Sequence, residues 1–185
     1  MKSSLNKSQI ERFSRQLILK NVGAKGQKKV ISSKILIIGV GGLGCPAAEN
    51  LTRAGIGTIG LVDNDVVNLS NIHRQSLFNS RDIKKSKVSV AAKKLKDINP
   101  HIKIKKYNIR LNEKNIKNII QDYDLIIDGS DNFKTKFLIN DYCLKFKKKL
   151  VTGAISKFDG HVFTFNFRDK KTASLKSFYQ KDEIS

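Results

Sequence analysis

Apolar positions along this chain alternate between short unbroken runs and runs at helical spacing, and that alternation predicts the fold class before any chemistry is considered. Ile10, Phe13 and Leu17 recur at helical intervals, so residues 9–19 are expected to form an amphipathic helix, with Ser8-Gln9-Ile10-Glu11 as a capping box. Its polar face carries Arg12, Arg15 and Gln16. Residues 21–33, with Gly23, Gly26 and three lysines, read as a connecting loop. Lys34–Val40 is then a buried strand, 45–54 a helix, and Thr58–Asp63 a second strand ending in an acid, which completes a βαβ unit. Residues 64–86 are polar and irregular, long for a connection in a compact domain, and so form a candidate functional loop. Val88, Ala91, Ala92, Leu95 and Ile98 mark a helix that Asn99-Pro100 ends, and Ile102 and Ile104 begin a strand. A helix at 113–121, a buried strand at Leu125–Asp128, a helix from about 132 to 147 and a strand at Lys149–Ile155 follow. Val162–Phe167, after a turn at Asp159-Gly160, is expected to be antiparallel. The sum is a Rossmann-like, doubly wound, mostly parallel α/β sheet in one domain, 1–185, with a helical arm at 8–20, a core at 34–167 and a tail at 168–185.

Composition narrows the class. A chain of 185 residues suffices for one core. Cys45 and Cys143 are the only cysteines, which excludes a disulfide framework and a cysteine zinc cluster, fits a reducing compartment, and leaves both as packing residues. The longest apolar stretches are strand-sized and the N-terminus is polar, so a cytoplasmic protein with no membrane segment is expected. The net charge of +20 attracts polyanions, but the excess is lysine spread from Lys2 to Lys181, with seven arginines in all. A basic functional surface and a purely compositional origin both fit, so a nucleic-acid partner is admitted without being favoured.

The chemistry concentrates after the first strand. Gly39, Gly41, Gly42 and Gly44 form a glycine loop that opens a helix, a context in which backbone can approach a phosphate and the helix N-terminus can bind it. Alone, the loop suits a dinucleotide and ATP equally. Asp63 stands where such domains keep a carboxylate for ribose hydroxyls, and Asp65 reads as a cap of the following loop. Arg74 offers a planar fork for phosphate oxygens in a chain that otherwise uses lysine, and Lys87, opening the next helix, is placed to return to the same crevice. Asp131, at a strand's end, is either a Mg2+ ligand or a helix N-cap. His73, His101 and His161 show no metal-ligand spacing.

Six elements in order, Arg12-Phe-Ser-Arg15-Gln16-Leu-Ile-Leu, the glycine loop, Asp63-Asn-Asp65 with Ser70-Asn71-x-x-Arg74-Gln75, Ser86-Lys87-Val, Asn99-Pro100 and Asp131-Asn132, together resemble the ThiF/MoeB/HesA family, bacterial relatives of ubiquitin-activating enzymes. The resemblance covers about residues 9–167. It implies ATP- and Mg2+-dependent adenylylation of the C-terminal glycine of a ubiquitin-like sulfur carrier, ThiS-like or MoaD-like, in thiamine or molybdenum cofactor biosynthesis. Asp63 would then bind the ribose, with Asp65, Ser70, Gln75 and Asn132 around the nucleotide. Asn71, Arg74 and Lys87 would hold phosphates, Asp131 would orient Mg2+, and Arg15 would reach into the partner's site across a homodimer. The chain departs from the family where a zinc C-x-x-C would align, at Ser174-Leu-Lys-Ser177, so no zinc is expected. That departure keeps open a shortened, non-catalytic nucleotide- or partner-binding member, and the +20 charge keeps open a tRNA-modifying adenylating relative.

Overall fold

The computed structural model describes residues 5–169 and 171–179, and within them the expected doubly wound sheet is present. Six strands lie in the order β3-β2-β1-β4-β5-β6. They are β1 (Lys34–Ile38), β2 (Thr58–Val62), β3 (Lys103–Tyr107), β4 (Leu125–Asp128), β5 (Lys149–Ser156) and β6 (Asp159–Asn166). Neighbours from β3 through β5 pair in parallel, and β6 pairs antiparallel to β5. Residues 1–4, 170 and 180–185 lie outside the described set, and with them the first part of the polar N-terminus and the end of the tail.

The central strands are apolar on both faces because helices cover both. From β1, Ile35 and Ile37 pack with α4 (Gly44–Ala54) and α5 (Lys87–Ile98), while Leu36 and Ile38 face the opposite layer of α6 (Glu113–Ile120) and α7 (Phe133–Lys145). At the edge, β3 reads Lys-Ile-Lys-Lys-Tyr and is largely exposed, charge there discouraging strand-to-strand association. The chain winds outward from β1 to β3 and then in the other direction from β4, so strand order reverses between β1 and β4. A crevice opens there at the strands' carboxyl ends.

Four expectations need correction. The N-terminal helix is two short pieces, α1 (Lys7–Arg12) and α2 (Ser14–Leu17), broken at buried Phe13, whose ring lies so near Gly55 that a Cβ there would sit 2.5 Å from Cζ. Its capping box starts at Asn6, not Ser8: Asn6 Oδ1 accepts from the Gln9 N–H at 2.8 Å, and Gln9 Oε1 from the Asn6 N–H at 3.1 Å. Residues 21–33 are mostly helix, α3 (Gly23–Ser32). Its buried face includes Gln27, which donates to the Ala54 carbonyl at 3.0 Å, and a glutamine there hides the helical period. Lastly, the β5–β6 turn falls at Lys157-Phe158, with Lys157 at φ 53°, and Asp159-Gly160 are already strand.

The connection 64–86 is irregular as expected, yet pinned. Val67, Leu77 and Phe78 are buried in the core, Val67 exchanges backbone bonds with Lys84 and Lys85, and short 3-10 turns occupy Leu69–Asn71 and Ser80–Asp82.

Phe13 is the apolar anchor of the arm that carries Arg15. Phe13→Ala is expected to cost about 3 kcal/mol or more of stability, read from urea unfolding, and to speed proteolytic clipping between residues 7 and 22.

Candidate functional site

Backbone packing builds the floor of the crevice. Gly39 follows β1 at φ 86°, and a Cβ there would stand 2.8 Å from the Gly129 carbonyl oxygen after β4. A Cβ on Gly44 would strike the Gly39 carbonyl oxygen, whereas Gly41 and Gly42 face outward, with side chains from the 64–86 connection 3.8 Å and 3.6 Å from their Cβ positions. No side chain caps the N-terminus of α4, so its end-on dipole is left for an anion.

Around that floor the structure gathers most of the predicted residues. Asp63, just past β2, is held at both oxygens: Oδ2 accepts the Val40 N–H at 2.7 Å and Oδ1 the Asp65 N–H at 2.8 Å. Asp65 pairs with Lys87, whose side chain is buried although Asp65 is exposed, at 2.9 Å. Arg74 lies across Gly42, with Cγ and Cδ 3.6 Å from the glycine's Cβ position. Its Nη1 donates to the Ser70 carbonyl at 3.0 Å and lies 2.8 Å from His73 Nε2, an interaction that makes the ring nitrogen an acceptor. Asn71 Oδ1 accepts the Asn68 N–H at 3.2 Å, which fixes the turn that launches Arg74. Gln75 is buried beside Gly41, and among the described residues its Oε1 has no hydrogen-bond partner.

After β4, Asp131 is exposed and accepts from the Asn132 amide at 3.3 Å. Asn132, not Asp131, is the N-cap of α7, accepting the Thr135 N–H at 2.9 Å. Arg15 on α2 is exposed, and among the described residues no hydrogen bond or ion pair joins it to this rim.

Sequence reasoning missed a buried charge cluster beneath the rim. Asp128 Oδ2 receives Lys136 Nζ at 3.2 Å and Thr152 Oγ1 at 2.6 Å, while Oδ1 receives the Ser130 N–H at 2.9 Å and Ser130 Oγ at 2.6 Å. Lys136 also donates to the Gly153 carbonyl at 2.6 Å. In the sequence this lysine lies on a helical stripe with Ile139 and Cys143, but among so many lysines that position alone does not mark it as buried. The carboxylates of the rim therefore sort by partner. Asp63 is engaged by two backbone N–H groups, Asp65 by Lys87 and Asp128 by Lys136, and Asp131, reached only by the Asn132 amide, is the one with neither a backbone clamp nor a cation among the described residues.

Both cysteines are packed away from this chemistry. Burial pushes the Cys45 thiol up to about 11, and Sγ rests 3.6 Å from the Val40 carbonyl. Burial, helped by the Asp128 charge, raises Cys143 further. Ser174 and Ser177 flank Leu175, which is buried against α7, while the Leu175 N–H donates to Asn140 Oδ1 at 3.0 Å. Among the described residues no group of three or more His, Cys, Asp or Glu could hold a metal, and no helix is long and apolar enough to cross a membrane.

A family model described as the ThiF family matches residues 13–184. The chain is 41% identical over 160 residues to the sulfur carrier protein adenylyltransferase of Thermus thermophilus, covering 86% of this chain and 59% of that protein. To the adenylyltransferase and sulfurtransferase MOCS3 of Drosophila virilis it is 44% identical over 165 residues, 89% of this chain and 36% of that one. It thus spans less than two thirds of either relative. Among solved structures, E. coli tRNA N6-threonylcarbamoyladenosine dehydratase in complex with ATP superposes with a TM-score of 0.76 at 28% identity, over 81% of this chain and 61% of that chain. E. coli MccB with MccA-N7isoASN gives 0.81 at 25%, over 95% and 52%.

The raised thiols set two expectations. Native protein at pH 8 should resist iodoacetamide at both cysteines and label only on unfolding, as counted by mass spectrometry. Because Cys45 ionises at a higher pH folded than unfolded, its contribution to stability is full below its ordinary 9.0 and is lost as pH rises towards 11; Cys45→Ala should flatten that decline in urea titrations.

Proposed function

The chain belongs to the ThiF family, and from that membership and the chemistry of its crevice we propose that it adenylylates the C-terminal glycine carboxylate of a ubiquitin-like sulfur carrier, with ATP as co-substrate. The observation that carries this reading is the set converging on the glycine floor: Arg74 across Gly42, buried Lys87, and Asp131 with no cation among the described residues. A dehydrogenase would have no shared use for these three. The first relative is itself named for sulfur-carrier adenylylation, and a structural relative was solved with ATP.

In this reading the carrier's carboxylate oxygen attacks the α-phosphorus of ATP, the bond to the bridging oxygen breaks, and pyrophosphate leaves, so an acyl adenylate forms without an enzyme nucleophile. Catalysis is positioning plus charge neutralisation. Asp63, its carboxylate pinned by two backbone N–H groups, keeps lone pairs for the ribose hydroxyls. Gly39, Gly41, Gly42 and Gly44 lie beneath the nucleotide, with Ser70, Asn71, Gln75 and Asn132 lining it. Arg74, released from Ser70 and His73, and Lys87, shared with Asp65, take phosphate oxygens. Mg2+ fits the remaining donor: a hard cation that keeps its waters needs one or two carboxylates, and Asp131 is the free one, from which it would neutralise phosphate charge.

The arm supports a homodimer. Among the described residues Arg15 is exposed with no hydrogen bond or ion pair, and Ile18 and Leu19 beside it are 74% and 53% exposed, an apolar strip suited to a second copy that Arg15 would cross. The hairpin supports the protein substrate: Ile155, Phe158 and Val162 are exposed, and the hairpin is tied to the glycine loop where Leu43 comes within 3.1 Å of the Gly153 Cβ position, so an extended tail docked on it would lead towards the crevice. A cytoplasmic setting and a place in thiamine or molybdenum cofactor biosynthesis accompany this reading. A second reading, adenylation of a tRNA substrate, is favoured by the likeness to the tRNA dehydratase and by the +20 charge.

Carrier-dependent pyrophosphate exchange tests the proposal. Exchange with a carrier ending in Gly-Gly, absent when that carboxylate is amidated, is expected, and Arg74→Ala or Asp131→Ala should each lower it ~10²-fold. ATP binding without exchange for any carrier would instead favour the non-catalytic member, and exchange driven by tRNA with a steep salt dependence the second reading.

A further inference from the structure

The buried cluster beneath Asp131 has no part in the roles assigned above. Asp128 closes β4 directly opposite Ile38 at the end of β1, and also opposite Thr152 on β5, so it stands at the strand reversal itself. Both of its oxygens are taken. The inner one holds Lys136 at 3.2 Å and Thr152 at 2.6 Å, and the outer one holds the backbone and hydroxyl of Ser130, curling the chain into the turn that ends at Asp131. Lys136 reaches from the first turns of α7, donates across to the Gly153 carbonyl of β5 at 2.6 Å, and is 5% exposed. One ammonium thus bridges β4, β5 and α7. Gly129, inside the same turn, packs against Gly39 and Gly44, so a shift of the turn is transmitted to the floor.

We propose that Lys136 is a positioning residue for a divalent cation carried by the nucleotide: it neutralises Asp128 and clamps it to Gly153, holding the 128–131 turn so that Asp131 presents its carboxylate at a fixed place. The inference rests on the adenylylation reading for the presence of metal-bound nucleotide. Its physical ground is that a carboxylate serves a metal only as well as the groups behind it are held, and partners of this kind are worth 10–100-fold in metal affinity. Without Lys136, Asp128 would be a buried charge competing for the same donors and for the same cation. A pair retained for stability alone behaves differently, because replacing both charges by neutral groups is often nearly neutral to folding.

The experiment uses the full chain, Mn2+ in place of Mg2+, and the α,β-methylene analogue of ATP, with binding of the metal–nucleotide complex followed by water-proton relaxation and metal-free nucleotide binding by calorimetry in a chelator. Asp128→Asn/Lys136→Met, folded by circular dichroism, is expected to lose ~10-fold in affinity for the Mn2+ complex while metal-free binding stays within ~2-fold of the parent. Lys136→Arg should recover the metal affinity. Lys136→Gln, which removes the charge and shortens the side chain, is read in the same way where the double variant does not fold. Equal losses with and without metal, or no loss, would overturn the positioning role. Parent protein that binds neither form of the nucleotide would overturn the adenylylation reading, a result distinct from either.

Discussion

The constraint on which the remainder of this molecule depends is the contact of three backbone segments at the reversal of strand order. Gly39 leaves β1, Gly44 starts α4 and Gly129 leaves β4, and a Cβ on any of them would meet backbone of another, 2.8 Å away at Gly39 and 3.2 Å away at Gly129. Only because these segments touch can α4 begin directly above the reversal, with its uncapped N–H groups turned to the crevice. The same closeness puts the ends of β1, β2 and β4 within reach of one ligand. Doubly wound sheets open at this point as a matter of topology; here glycine sets how narrow the opening is.

Above that floor the problem is electrostatic. Several carboxylates crowd the strand ends of a protein whose net charge is +20, and their usefulness depends on which are occupied. Burial of Lys87 and Lys136 costs solvation that only close pairing offsets, so each is committed to its aspartate, at 2.9 Å and 3.2 Å. What emerges is a division between carboxylates paired to a lysine, Asp65 and Asp128, and those that are not, Asp63 and Asp131. The surface ion pairs, such as Lys105 with Asp122 and Lys176 with Asp141, are exposed on both sides and contribute little by comparison.

Much of this was legible in the chain, for reasons that differ by residue. Strands such as Leu125–Asp128 are unbroken apolar runs because two helical layers cover them, and the alternation with amphipathic helices left little freedom in the fold. Candidate site residues were legible where their type was costly to explain otherwise, as with Arg74 in a lysine-rich chain. α3 was not, because its buried position is Gln27 and its glycines imitate a loop. The break at Phe13 depends on the pocket at Gly55, and Asn132 takes the cap that Asp131 was also suited to, choices made by tertiary contacts that no local pattern encodes. Lys136 was hidden by abundance: among so many lysines, a buried one carries no compositional mark.

Arg74 illustrates how the long 64–86 connection joins fold to chemistry. A side chain on an irregular segment would ordinarily be too loose to hold a phosphate, but Val67, Leu77 and Phe78 root this segment in the core and Asn71 fixes the turn before the arginine. The guanidinium then has a parking place, the Ser70 carbonyl and the His73 ring, both within one turn of it. Those bonds are exposed and weaker than a charged fork on phosphate, so under the proposed adenylylation a side-chain rotation would suffice to exchange them for phosphate oxygens. The arginine is therefore held over Gly42 by these contacts, and under the proposed reading little binding energy would be spent on assembling the site.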